Sequence, residues 1–518
     1  MDAGPLADRL QARLGLMRQD RIVERIWERD PTVWAPDPAT PELADRLGWL
    51  SLPETMQQHV TDLTDFAADA RACLERVVLC GMGGSSLAPA VMWRIVEKQD
   101  GHPSLHLLDS THPAAVLAAS SAPAATLYVI ASKSGTTIET RSFERYLWDA
   151  SGCDGSRFIA VTDPDTPLAR EAEKRGYARV FINPPDVGGR FSALSLFGLV
   201  PAALVGIDIA GLLRRGAASA GRCAEQLGEG NVYAGVGAFI GEAALAGRDK
   251  LTFLLSPSLA SFGLWLEQLI AESTGKQERG ILPVVGERRA APDQYGDDRA
   301  FVRIILRGDE DTTNEVLARR LTGLGLPVLE IELADRLELA GAMFGWEFAT
   351  AIAGYVLGVN PFDQPDVAES KTNTARALTL GARRSVDADA ETLHRWERGV
   401  GKGDYVGVMA YLPPSPETDA RLEAVAVRLR ERLGVVVTTG YGPRYLHSTG
   451  QLHKGGPPIG HFLQIVDSAR GDLPVPGMSG FGVLISAQAD GDLLALETRG
   501  RPVVRVRDWE LLATELGI

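Results

Sequence analysis

Hydrophobic and polar positions divide the chain into regions of different periodicity. About the first seventy residues have helical spacing, with Trp27, Trp34 and Trp49 among charged positions. From Arg76 onward, short β-rich runs alternate with helical stretches, which predicts a parallel sheet with helices on both faces. The predicted strands of this region are 77–79, 105–108, 127–130 and 158–161.

A second region with the same alternation begins near Ala218. Its predicted strands are 251–255, 302–306 and 328–331, and a long apolar helix is predicted over 339–357. After Pro361 the chain becomes helical again and then has three more predicted strands, 405–411, 435–439 and 503–506. This third region is either a separate lobe or an extension of the second sheet.

These patterns predict an α/β fold with two doubly wound parallel-sheet lobes, a helical N-terminal wrap and a C-terminal α/β extension. The predicted boundaries are 1–75 for the wrap, 76–217 and 218–380 for the two lobes, and 381–518 for the extension. A chain of 518 residues exceeds what one hydrophobic core usually supports, so several lobes are expected.

The composition of the chain argues against nucleic acids and membranes as binding partners. The 53 Lys and Arg residues against 67 Asp and Glu give a net charge of -14, which argues against a nucleic-acid-binding surface. The longest apolar run, 196–207, is too short to span a membrane. No signal peptide is visible over 1–16, and the four cysteines lack metal-ligand spacing, so we expect a cytoplasmic protein with reduced thiols.

Three short segments have the residue types of a phosphate site and a base. GMGGSS at 81–86 and SKSGTT at 132–137 each follow a predicted strand and open a predicted helix, where free N–H groups and hydroxyls bind anions. The alternatives are a structural turn and an ordinary N-cap. In 271–276, AESTGK, Glu272 ends an apolar helical run, which makes it a candidate general base. Together these segments predict that the substrate is a phosphorylated small molecule, and that Glu272 moves one of its protons.

Other candidates lie on flexible segments. Arg190 follows a glycine turn, where it can reach an oxyanion, although such an arginine more often forms a surface salt bridge. Gln364 and Lys371 are seven residues apart and share a face if the segment is helical. The glycine-rich stretch 440–461 contains three histidines and is too irregular for a core helix; without nearby Asp, Glu or Cys ligands it predicts no metal site.

Taken in order, these segments resemble the phosphoglucose isomerase family. The match covers roughly 76–375, and a later segment, 442–456, is similar to the isomerase half of the bifunctional transaldolase/phosphoglucose isomerases. We expect no transaldolase barrel, because few residues precede the first lobe. The motifs are GGS at 83–85, SKSGTT at 132–137, GGRFS at 188–192, ESTGK at 272–276, and FDQ at 362–364 with Lys371.

The resemblance implies sugar-isomerase lobes that interconvert glucose 6-phosphate and fructose 6-phosphate through a cis-enediol, without a metal or organic cofactor. It also implies a homodimer with active sites near the subunit interface. The alternatives are an isomerase that also accepts mannose 6-phosphate and a non-catalytic sugar-phosphate sensor. The presence of Glu272, Arg190 and Lys371 argues against the sensor.

Site residues follow from the same resemblance. Glu272 is implied as the base that moves a proton between C2 and C1, Arg190 as the group that stabilises the enediolate, and Lys371 as the group that assists at the ring oxygen. The implied substrate-binding residues are Gly84, Ser85, Ser132, Lys133, Ser134, Thr137 and Gln364.

One motif of the family is missing. Other members have their ring-opening histidine in a Gly-Gln-His segment between the Glu272 and Lys371 motifs, and 276–360 contains no such segment. The similar C-terminal segment leaves His447 and His453 as candidates. We favour His447 because it lies nearer the turn that follows predicted strand 435–439, and α/β sites form at strand ends.

Overall fold

Three parallel sheets follow one another along the chain in the computed structural model. It describes residues 3–71, 74–228, 230–366, 372–376, 378, 387–467 and 471–518. We name the lobes after their sheets: the first lobe (76–182), the second lobe (250–333) and the third lobe (405–506), the last with the helices that flank it.

The first sheet has five strands and the other two have four each. The strands are β1 Arg76–Cys80, β2 Ser104–Leu108, β3 Thr126–Ala131, β4 Phe158–Thr162, β5 Arg179–Ile182, β6 Lys250–Leu255, β7 Leu282–Val284, β8 Arg299–Leu306, β9 Val328–Leu333, β10 Tyr405–Tyr411, β11 Val436–Tyr441, β12 Gly460–Val466 and β13 Val503–Val506. Their orders are β2-β1-β3-β4-β5, β7-β6-β8-β9 and β11-β10-β12-β13. Neighbouring strands pair in parallel throughout.

The helices lie between these strands and over the N-terminal segment. Their bounds are Ala7–Gln19, Ile22–Trp27, Leu52–Thr55, Val60–Arg71, Leu87–Ile95, Pro113–Ala119, Ile138–Ala150, Pro167–Lys174, Leu196–Leu204, Ile209–Ala224, Val232–Leu245, Phe262–Thr274, Thr312–Gly323, Glu338–Leu357, Ala390–Glu397, Pro416–Leu433, Gly450–Gly455, Phe481–Thr498 and Trp509–Leu516. In the part of the chain that the structure describes, no helix is long and apolar enough to cross a membrane.

The predicted α/β class with parallel sheets is confirmed, and the third group of strands forms a sheet of its own. Three strands were not predicted: β5, β7 and β12. The prediction for 440–461 was wrong in part, because Gly450–Gly455 is a short helix whose six residues are all buried.

The N-terminal segment packs on aromatic residues that precede and follow the second lobe in the chain. Trp49 is fully buried, with its ring 5.3 Å from that of Phe191 and 5.6 Å from that of Phe344. Trp34 packs edge-on against Phe362 at 5.0 Å. The aromatic rings of the wrap therefore support the backbone beside Arg190 and just before Gln364.

One hydrophobic core joins the N-terminal segment to the first two lobes. It runs without interruption from Leu6 through Val77 to Leu251 and Leu339, whereas the third lobe has a separate core around Val406. A further cluster packs Ala271 and Leu282 of the second lobe against Tyr405 and Leu452 of the third. Another cluster packs Phe481 of the third lobe against Phe143 of the first, so apolar contacts dock the third lobe on both of the others.

Helices Val232–Leu245 and Glu338–Leu357 cross so closely that one glycine has no room for a side chain. A Cβ on Gly237 lies 2.3 Å from the Ala349 carbonyl oxygen and 2.6 Å from Ile352 Cβ. We expect Gly237→Ala to lower the free energy of unfolding by about 1–3 kcal/mol through overpacking. Urea unfolding followed by circular dichroism measures the change.

The matched control is Gly221→Ala on helix Ile209–Ala224, where an added Cβ meets nothing within 4 Å. There the same substitution should raise the free energy of unfolding by about 0.4–1 kcal/mol, because alanine has fewer conformations to lose on folding. A Gly237→Ala protein at least as stable as the wild type contradicts the packing argument.

Candidate active site

Glu272 lies near the end of helix Phe262–Thr274, and its carboxylate is buried between two polar groups. Its Oε1 is 3.3 Å from Arg190 Nη1, and its Oε2 accepts a hydrogen bond from Gln268 Nε2 at 3.0 Å. Gln268 is four residues earlier on the same helix, so the two side chains share a face. The carboxylate is held in one orientation, with water largely excluded.

Arg190 connects three separate segments of the chain. It lies in the turn Gly189–Phe191 and is 3% exposed. Its Nε donates to Ser273 Oγ at 2.7 Å, and its Nη1 donates to Gln364 Oε1 at 3.0 Å. Its Nη2 donates to the carbonyl oxygens of Pro361 and Asp363 at 2.6 and 2.8 Å. Arg190, Glu272 and Gln364 were predicted from separate motifs. The fold brings the last two into contact with the guanidinium of Arg190.

Lys276 brings a second cation to this group. Its ammonium pairs with Asp363 Oδ1 at 2.8 Å and donates to the Asn360 carbonyl oxygen. Burial, and then the charge of Arg190, lower the pKa of Lys276 to about 7. Arg190 and Lys276 therefore place two basic side chains near Glu272, although the protein as a whole is acidic.

The first glycine turn packs directly against this centre. A Cβ on Gly84 lies 1.8 Å from the Gly189 carbonyl oxygen, so only glycine allows the two loops to meet. Gly83 has φ of +55° and sits against Gln268 Nε2 and the carbonyl oxygen of His447. Ser85, predicted to lie close to the sugar, is partly exposed at the end of the turn.

The predicted phosphate segment lies at the start of helix Ile138–Ala150. Ser132 Oγ is 3.1 Å from Thr137 Oγ1, and Ser134 Oγ is 2.9 Å from Thr136 Oγ1. Thr137 is the N-cap residue, but its side chain does not cap the helix. The first turn therefore presents backbone N–H groups and hydroxyls together, as an anion site requires.

Lys133 is oriented differently from its neighbours. Its ammonium pairs with Asp163 and donates to the Pro185 carbonyl oxygen at 2.9 Å. These contacts engage the side chain within the first lobe and do not bring it to Glu272. Substrate binding by Lys133 stays a prediction without geometric support.

His447 faces the phosphate segment across a cavity of about 210 Å³. Its Nε2 is 3.0 Å from Glu139 Oε1, which also accepts a hydrogen bond from Gln488 Nε2 at 2.7 Å. The backbone carbonyl oxygen of His447 accepts from Gln268 Nε2 at 2.9 Å, which connects it to Glu272. The cavity is lined by Ser134, Thr136, Thr137, Ile138, Glu139, Thr374, Ala375, Leu446, His447 and Gln488.

His453 occupies a different environment. It is 5% exposed, its Nδ1 is 2.9 Å from the Tyr405 hydroxyl, and its ring packs against Phe462. Burial lowers the pKa of His453 to about 3, with smaller contributions from Lys454 and Arg501. At neutral pH this imidazole is uncharged, and His453 does not line the cavity that contains His447, so the structure favours His447 over His453.

Lys371 lies outside the described residues. Over the described ranges, no group of three or more His, Cys, Asp or Glu side chains could hold a metal ion. Sequence reasoning missed Glu139, Gln268 and Gln488. Gln268 had a local signal, four residues before Glu272, whereas Gln488 reaches the cavity from a helix far along the chain.

The chain matches proteins of one family over most of its length. A model of the family described as phosphoglucose isomerase matches residues 53–290. Glucose-6-phosphate isomerase of Rubrobacter xylanophilus is 31% identical over 389 residues, covering 64% of this chain and 89% of that protein. A probable glucose-6-phosphate isomerase of Haloarcula marismortui is 32% identical over 370 residues, covering 64% of this chain and 83% of that protein.

Two solved structures share the fold. A hypothetical protein from Thermus thermophilus has a TM-score of 0.62 at 24% identity, covering 72% of this chain and 97% of that one. A glucose-6-phosphate isomerase from Chlamydia trachomatis has a TM-score of 0.58 at 20% identity, covering 72% and 86%.

The low pKa of His453 predicts a dependence of stability on pH. Below about 6.5 the unfolded chain gains a proton at this position, while the folded protein does not until the pH approaches 3. The contribution to stability is therefore lost as the pH falls from about 6.5 towards 3. His453→Gln, which keeps a polar partner for Tyr405, should flatten this decline. Free energies of unfolding at pH 7 and pH 5 measure it, and equal declines in both proteins contradict the assignment.

Proposed function

The chain belongs to the phosphoglucose isomerase family and interconverts glucose 6-phosphate and fructose 6-phosphate, and we propose that Glu272 is the base of this reaction. The observation that supports it is the buried contact between Glu272 Oε1 and Arg190 Nη1 at 3.3 Å. A base that takes a proton next to a carbonyl needs a cation near the oxygen on which charge develops. Gln268 links this pair to His447, which lines the cavity beside the predicted phosphate segment.

In the proposed reaction, Glu272 takes the proton from C2 of the open-chain aldose. Electrons shift to the C1 oxygen and give a cis-enediolate, whose negative charge Arg190 stabilises. The proton of the C2 hydroxyl passes to the C1 oxygen, Glu272 returns its proton to C1, and the C2 oxygen becomes the carbonyl of the ketose. Gln268 and Arg190 hold the carboxylate so that one group serves both carbons.

The phosphate binds at the N-terminus of helix Ile138–Ala150. The hydroxyls of Ser132, Ser134 and Thr137 and the free backbone N–H groups of the first turn supply donors to its oxygens. Gly84 and Ser85 line the approach of the sugar, since their turn packs on both Gly189 and Gln268. Ser134 and Thr137 share their cavity with His447, which supports one substrate spanning both.

Ring opening is assigned to His447. A proton must reach the ring oxygen before the open chain forms, and histidine is the side chain that most often acts as a general acid. Glu139, 3.0 Å from Nε2, orients the ring and stabilises the imidazolium. By family resemblance, Gln364 contacts the substrate and Lys371 assists at the ring oxygen.

The family resemblance also supports a homodimer. The cytoplasm is the proposed location, because the cysteines follow no disulfide pattern, and Cys80, Cys153 and Cys223 are free thiols.

Removal of the base tests the central role. Glu272→Gln keeps the shape of the side chain but cannot take a proton, so turnover of glucose 6-phosphate should fall by roughly 10²- to 10⁴-fold while the sugar phosphate still binds. A coupled spectrophotometric assay measures turnover, and incorporation of solvent deuterium at C2 reports the proton transfer itself.

The matched control is Glu278→Gln, six residues further on and exposed, which should turn over at the wild-type rate. Wild-type exchange at C2 in Glu272→Gln would remove Glu272 from the mechanism. An inactive wild-type protein that still binds the sugar phosphate would favour the sensor.

The role of His447 is tested with a substrate that needs no ring opening. A four-carbon aldose 4-phosphate cannot close a stable ring, because its C4 oxygen carries the phosphate. His447→Ala should slow turnover of glucose 6-phosphate by roughly 10²-fold or more and leave the four-carbon substrate nearly unaffected. The control His453→Gln should show no such selectivity; selectivity in that variant instead reverses the assignment.

A further inference from the structure

Arg444 and Asp109 form a two-bond ion pair between the third and first lobes. Arg444 Nε donates to Asp109 Oδ2 at 2.6 Å, and Nη2 donates to Oδ1 at 2.7 Å. Asp109 directly follows β2 and is 3% exposed. Such a planar, two-bond contact fixes orientation as well as distance.

The pair lies at the base of the turn that bears His447. The short helical turn Arg444–His447 follows β11, so Arg444 lies only three positions before His447 in the chain. The next residue, Tyr445, points the other way and donates from its hydroxyl to Asp492 Oδ2 at 2.5 Å within the third lobe. Arg444 therefore ties the start of this turn to the first lobe, as the contact of His447 with Glu139 ties its end, while Tyr445 ties the turn to its own lobe.

Because Glu139 and the phosphate segment both belong to the first lobe, the position of His447 relative to them depends on how the lobes are joined. We infer that the Arg444–Asp109 pair is a positioning device that sets the His447 imidazole against Glu139 and the substrate ring. The inference rests on the proposed ring-opening role of His447. Neither Arg444 nor Asp109 lines the cavity, so both act through the turn.

The other charged groups near Arg444 influence how the pair is tested. Asp109, Glu267 and the Tyr441 hydroxyl interact with its charge, and Arg94 is a neighbouring cation. Burial raises the pKa of Glu267 to about 7, which Arg444 opposes only in part. When Asp109 loses its charge, Glu267 is the carboxyl available to replace it. A variant at Asp109 therefore needs a companion in which Glu267 is neutral.

The test uses three variants. Two are the single substitutions Asp109→Asn and Arg444→Lys, and the third is the double substitution Asp109→Asn with Glu267→Gln. Each keeps side-chain size close to the original, and thermal unfolding confirms that it folds. We expect turnover of glucose 6-phosphate to fall by about 10- to 100-fold, because small misplacements of a catalytic group have effects of this size. The four-carbon aldose 4-phosphate should be slowed much less, because its turnover does not use the imidazole and Glu272 keeps its direct contact with Arg190.

Arg303→Lys is the matched control. Arg303 pairs with buried Asp311 at 2.8 Å inside the second lobe, so the variant weakens a similar ion pair away from His447. It should show no preference between the two substrates. Equal slowing of both substrates in the Arg444 and Asp109 variants, or no slowing, overturns the inference.

The same assay distinguishes the positioning role of the Arg444–Asp109 pair from the ring-opening role of His447. If His447→Ala shows no selective loss on glucose 6-phosphate, the ring-opening role itself is wrong. If His447→Ala is selective while Asp109→Asn with Glu267→Gln is not, only the positioning role fails.

Discussion

The buried guanidinium of Arg190 has five N–H donors and almost no water to satisfy them. It needs Ser273, Gln364, two backbone carbonyls and the Glu272 carboxylate around it at once. Breaking a buried pair of this kind costs about 3–5 kcal/mol, so the loops that supply these partners have little freedom. The arrangement that neutralises Arg190 is the same one that orients the Glu272 carboxylate.

The third lobe is held in place by its contacts with the other two lobes. It is joined to the other lobes by an apolar seam and by polar contacts near the cavity, among them Gln451 Nε2 to the Gly275 carbonyl oxygen at 2.9 Å. Gln488 donates to Glu139 and accepts from Thr111, so one side chain of this lobe bridges two of the first. Through these contacts the first and third lobes share one cavity, and Gln268 of the second lobe is connected to it through the His447 carbonyl oxygen.

The sequence predicted the parts that local chemistry determines. Continuous apolar runs predicted most strands, and short motifs singled out Glu272 and Arg190, which the fold brings into contact. β7 was not predicted because it has only three residues, one of them Pro283. β12 was not predicted because His461 and Gln464 interrupt its apolar pattern. Those polar residues are compatible with burial only because distant partners, such as Arg505 for Gln464, satisfy them. Pairings between residues far apart in the chain produce no periodic pattern in the sequence, so they could not be predicted from it.

The aromatic packing of the N-terminal wrap has a consequence for biosynthesis. Trp27 stacks on Phe344 and Phe348, and Trp34 packs on Phe362, so these rings find their partners only after the second lobe has been made. During translation the first segment leaves the ribosome well before any of those phenylalanines is made. Its apolar surface stays uncovered for most of the elongation time, which is the condition under which nascent chains recruit chaperones.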